Sequence, residues 1–146
     1  MQQSYTPPAK TLQAYARLIV NFGLRNKNGT KPKQGSVVHF TVPEVAKPLY
    51  FYLQEAILKA GYQPVGEFIP SSTSEFPFRR NFFDTATKRQ LEFYPEYYRN
   101  ALVDQADCSI FILAPTMLNE LQGISSSLLS KLEVFVIKGT KWTLIN

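Results

Sequence analysis

Hydrophobic positions along this chain change period several times, and each change marks an element. In AKTLQAYARLIVNFGL (residues 9–24), Leu12, Tyr15, Ala16, Ile19 and Phe22 recur at three- and four-residue spacing. That spacing lines one face of an amphipathic helix. Residues 1–7 read as a lead-in, with Thr6 placed to cap the helix, Pro7-Pro8 to open it and Gly23 to end it. A polar loop, RNKNGTKPKQ (residues 25–34), follows, with an Asn-Gly turn and a proline.

The period then shortens. Val37 to Val42 is β-branched and apolar, as a buried strand requires. Leu49, Leu53, Ala56, Ile57 and Ala60 return to helical spacing, and Gly61 stands where a left-handed cap is wanted. Pro43 and Pro48 precede that stripe. Proline fits only a helix's first turn, so the helix is expected to begin between Glu44 and Pro48. Gln63 to Phe68 is extended again. Strand, helix and strand within about 30 residues make a parallel βαβ unit.

Beyond it, IPSSTSEFP reads as a surface loop and Phe83 to Phe93 as a helix. Pro95 opens a shorter helix, EYYRNALVDQA. Asp107 to Leu113 (DCSIFIL) is apolar on both faces, the pattern of a central parallel strand covered on each side. TMLNELQGI and SSSLLSK read as short helices capped by Thr116 and Ser125, and LEVFVIKGTKWTLIN as two short strands around Lys138-Gly139. The expected fold is a three-layer α/β domain over residues 1–131, with a short, mainly parallel sheet and helices on both faces. Residues 132–146 are expected to form an atypical strand pair or tail.

Composition changes this picture only a little. At 146 residues, 45% hydrophobic and 18% charged, the chain suits one domain with a real core. Eleven Phe and eight Tyr exceed the usual share and call for large buried rings or an aromatic contact surface. No apolar run reaches the roughly 18 residues of a membrane span, and the N-terminus lacks a signal-peptide pattern. One cysteine permits no internal disulfide and points to a reducing, cytoplasmic setting. The net charge of +5 is the kind of surplus that nucleic-acid binding uses. Yet the positive charges are scattered, apart from Arg25, Lys27, Lys31 and Lys33 in one loop and Arg79-Arg80 in another. A basic nucleic-acid-associated module is therefore a disfavoured alternative, and an interaction protein that reuses the same scaffold is a second one.

Candidate chemistry is sparse. His39 is the single histidine and lies in a strand, where a hydrogen-bonded structural role is commoner than catalysis. Cys108 lies in an apolar strand, where burial raises a thiol's pKa. No glycine-rich phosphate loop follows either strand of the βαβ unit, and no Gly-x-Ser-x-Gly occurs. Glu92, Glu96, Asp104 and Asp107 read as solvated helix positions rather than a catalytic pair. The best contact surface is Phe76, Phe78, Arg79, Arg80, Phe82 and Phe83, where arginines interleave with aromatics.

Three segments, YARLIVNFGL, GSVVHFTVPEVAKPLYFYLQEAILKAGYQPV and ADCSIFILAPTMLNELQGI with its Leu121-Gln122-Gly123-Ile124 turn, stand in a telling order. Together, over roughly residues 12–130, they resemble the start of the aminopeptidase T type of metallo-aminopeptidases. The resemblance implies a longer, dimeric enzyme that removes N-terminal residues from peptides with a pair of divalent ions of zinc or cobalt type. Its metal ligands (carboxylates, histidines and a tyrosine) and its catalytic glutamate belong to the C-terminal part of the family's chains. None of those motifs occurs here, so no catalytic or metal-binding residue is carried over. Leu132 to Thr140 also bridges the Ser-rich segment and a family-like strand in nine residues, where the family has a longer basic helix. That shortening is the expectation for a fragmentary or rearranged gene end. The chain is thus expected to be the non-catalytic N-terminal domain, inert alone. Its expected partner is a catalytic domain or a second copy, with peptides as substrates only in a full-length context and no membrane.

Overall fold

The computed structural model describes residues 6–26 and 28–129. The expected C-terminal strand pair, most of the lead-in and Lys27 of the basic loop lie outside them. The first helix, α1 (Ala9–Leu18), runs directly into a π turn over Ile19–Gly23. Pro8 holds the N-cap position without any side-chain cap, so Thr6 does not cap the helix as expected. The π turn also corrects the apolar stripe. The Leu24 amide donates to the Ile19 carbonyl at 3.0 Å, a five-residue step that rotates the helix register. Ala16, Ile19, Val20 and Leu24 are consequently buried, whereas Phe22, placed in the stripe by strict helical spacing, is 70% exposed.

The βαβ unit forms as its sequence dictates. Strand β1 (Val37–Pro43) passes through one tight turn (Glu44–Ala46) into helix α2 (Lys47–Lys59), with Pro48 in the helix's first turn. Gly61, at φ 81°, turns the chain into β2 (Gln63–Ile69). The strands pair in parallel from Val37↔Gln63 to Pro43↔Ile69. Strand β3 (Cys108–Phe111) pairs in parallel with the other side of β1, from Val38↔Cys108 to Thr41↔Phe111. The order β2-β1-β3 corrects one expectation, because the most apolar run is an edge among the described strands and β1 is the centre. Asp107, expected to begin the strand, instead clamps its entry. Its carboxylate accepts the Val37 amide at 2.7 Å, and its own amide donates to the Val37 carbonyl.

Alternation assigns Val38, Phe40 and Val42 to one face of β1 and His39 and Thr41 to the other. The first set, with Cys108, Ile110 and Ile112, joins Leu49, Leu53 and Ile57 of α2 and the buried stripe of α1 in one apolar core. Phe40 is its largest fully buried side chain. The Tyr50 ring packs 4.7 Å from Phe40 and 4.2 Å from Phe68, bridging the strand between them. Gly66 lies beneath that bridge. A Cβ there would come within 2.5 Å of Phe40 Cζ and closer still to Tyr50 Oη, so the ring packing requires glycine.

Three helices separate β2 from β3: α3 (Phe78–Thr85), α4 (Lys88–Leu91) and α5 (Glu96–Gln105). A single helix over Phe83–Phe93 is not formed. Thr87 breaks it with a capping box, accepting the Gln90 amide while Gln90 Oε1 accepts from the Thr87 amide at 2.8 Å. Helix α5 begins after Pro95 as expected, and reaches the sheet face opposite α2 through Tyr98. Helices thus lie on both faces of a small parallel sheet, the expected α/β class. Residues 118–123 form successive turns rather than a helix. Thr116 donates its hydroxyl to the Ser72 carbonyl at 2.6 Å instead of capping, while a helical turn over 126–129 starts after Ser125.

Candidate functional site

On the face of the sheet away from α2, parallel register places His39 beside Ser109, and Thr41 beside Glu67. His39 is 7% exposed, as a residue on a central strand must be. Its Nε2 lies 3.3 Å from Glu67 Oε2, but off the hydrogen-bonding direction, so this buried nitrogen has no aligned partner. Glu67 Oε1 accepts the Tyr98 hydroxyl of α5 at 2.6 Å. That bond, with a smaller contribution from His39, holds the Glu67 carboxyl below its ordinary pKa against the opposing effect of burial. The same bond raises the Tyr98 phenol above its ordinary value. The cluster is a histidine, a carboxylate and a phenol in series.

The aromatic and arginine surface predicted from sequence forms a second region. Phe76 and Phe78 stack at 6.5 Å, and Phe82 meets Phe83 edge-on at 6.0 Å. Phe78 and Phe82 line an open groove of about 740 Å³ with Phe93 and Pro95. The two arginines have different surroundings. Arg80 is engaged, its guanidinium bonding Asp84 at 2.9 Å and the Gln122 carbonyl at 2.8 Å, whereas Arg79 is exposed. What sequence reasoning missed is Glu120. This buried carboxylate accepts the backbone amides of Arg79 and Arg80, at 3.0 and 3.2 Å, and so caps α3 from 40 residues away. No local pattern signals it, because the acid that satisfies the helix comes from a distant turn.

The remaining candidates do not assemble into a reactive centre. Burial, with the neighbouring Asp107 charge, pushes the Cys108 thiol up to about 11, away from the reactive thiolate. Asp107 is committed to Val37, while Glu96 and Asp104 lie on α5. Among the described residues, no three His, Cys, Asp or Glu side chains come together in a way that could hold a metal ion. Among the same residues, no helix is long and apolar enough to cross a membrane.

Residues 9–138 match the family described as thermophilic metalloprotease. The chain belongs to that family. No curated relative matches it. A thermophilic metalloprotease uses metal, but the described residues do not fit such a centre. The donor set around His39 is one imidazole and one carboxylate, and the carboxylate is already engaged by Tyr98.

Proposed function

We propose that this chain provides the non-catalytic α/β domain of a two-metal aminopeptidase acting on the N-termini of peptides, with hydrolysis carried by residues outside it. The family match over residues 9–138 carries this reading, and the donor inventory of the sequence supports its second half. A two-metal centre holds its ions about 3.5–4 Å apart with several carboxylate and imidazole ligands. The whole sequence offers one histidine, and that histidine is buried in a sheet. The domain's contribution is to help wall the active-site cavity. In this reading Phe76, Phe78, Arg79, Phe82 and the half-buried Phe83 meet the catalytic domain or a second copy, while Arg80 braces the turn that carries Glu120.

The test is metal content and activity together. The purified chain is expected to carry less than stoichiometric zinc or cobalt after equilibration with either ion, and to release no amino acid from unblocked peptides. Stoichiometric metal accompanied by amino-acid release would overturn the proposal.

A further inference from the structure

From Thr73 to Gln105, through three helices and their connections, no residue is buried. A crossover layer on a parallel sheet ordinarily buries one stripe of each helix, because that burial is what holds it there. Here apolar side chains such as Leu91, Tyr94, Leu102 and Val103 are only half-buried, and the polar attachments include both ends and points between them. At one end the Ser71 hydroxyl accepts the Val45 amide at 3.0 Å, and buried Ser72 receives the Thr116 hydroxyl. At the other end Ala106 is buried and Asp107 clamps Val37. Between these ends the layer is tied by Tyr98 to Glu67, by the amides of Arg79 and Arg80 to Glu120, and by the Arg80 guanidinium to the Gln122 carbonyl.

Segments with few buried apolar contacts open at low free energy, and their ends then act as hinges. We infer that residues 73–105 form a flap that opens as a unit about Ser71–Ser72 and Ala106–Asp107. The Tyr98–Glu67 bond is its clasp over the sheet face that carries His39. The inference rests on burial and hydrogen bonding alone, and holds whether or not the chain serves a peptidase. Opening breaks the clasp and leaves the Glu67 carboxylate and the His39 imidazole facing solvent. Closing restores the bond without repacking the core, because α1, α2 and the inner face of the sheet do not depend on the flap.

Native-state hydrogen exchange of the full chain tests this, read by mass spectrometry and compared with Tyr98→Phe. Amides of α3 to α5 are expected to exchange at least about a hundredfold faster than the slowest amides of β1 and α2, as sub-global opening requires. Tyr98→Phe is expected to speed exchange in the flap about threefold to tenfold, the loss of one net hydrogen bond, and to leave β1 unchanged. Carbethoxylation of His39, the single histidine, should accelerate by the same factor. Exchange of flap and β1 amides at one common rate would overturn the inference. So would a Tyr98→Phe effect of equal size in both regions. If that variant fails to fold, the wild-type exchange pattern and the His39 modification rate decide the question by themselves.

Discussion

Two stretches of similar length, Val37–Ile69 and Thr73–Gln105, are both rich in aromatic residues but reach opposite outcomes. In the first, strand β1 is buried on both faces and its helix buries Leu49, Leu53 and Ile57. In the second, no residue is buried, and Phe76, Phe78, Phe82, Phe93 and Tyr97 are exposed, as is Tyr98 even while its hydroxyl reaches Glu67. Aromatic content does not separate them. Periodicity does, because a residue is buried only when its neighbours on the same face point at a common partner. The βαβ unit satisfies this within itself. The three short helices bury no full stripe, so polar contacts that each contribute on the order of 1 kcal/mol carry a larger share of their attachment.

The sharpest way to break that contrast is Phe40→Ala. Emptying the largest fully buried site is expected to cost about 3–5 kcal/mol, read as a lower urea midpoint at unchanged slope. Gly66→Ala follows, at about 1–3 kcal/mol, because the new methyl group must displace the Phe40 and Tyr50 rings. It should be partly rescued by Tyr50→Leu, which vacates the ring position. Both should lower the stability of the entire fold.

Changes in the second region should act locally. Glu120→Ala removes the acceptor of two first-turn amides and is expected to cost about 1–2 kcal/mol in α3, seen as faster exchange there while β1 amides hold. The Tyr98–Glu67 bond should show a pH window. The Glu67 carboxyl is depressed in the fold, so its contribution is present above the ordinary carboxylate pKa of 4.5 and is lost as pH falls through the lower folded value. The Tyr98 phenol is raised, so its share is present below its ordinary value of 10.0 and is lost as pH rises through the higher folded value. The stability difference between wild type and Tyr98→Phe should therefore be flat between those limits and shrink outside them in thermal melts at graded pH. The smallest effect is expected from Phe93→Ser, within about 0.5 kcal/mol, since that ring is 70% exposed.

The βαβ unit was legible to within a residue or two because its signals are local and agree. Val37–Val42 has a strand's composition, Leu49, Leu53 and Ile57 a helix's spacing, and Gly61 the only residue type at ease at φ 81°. The errors share a cause. Phe22 was misplaced by a π turn whose extra residue leaves no mark on composition, and the Phe83–Phe93 helix was split by the Thr87–Gln90 capping box. The aromatic patch was named from sequence, but the division of roles between Arg79 and Arg80 was not. It depends on Asp84, on Gln122 and above all on Glu120.

What the sequence determined alone is therefore the scaffold and its family, because hydrophobic period and turn residues act over a few positions at a time. Tertiary structure decided which strand is central, which aromatics are outside, and that His39, Glu67 and Tyr98 meet. Those outcomes depend on residues 28 or more positions apart, from His39 to Glu67 and from Glu67 to Tyr98. Only the parallel register of the sheet and the path of the chain back across its face bring them within 3.3 Å.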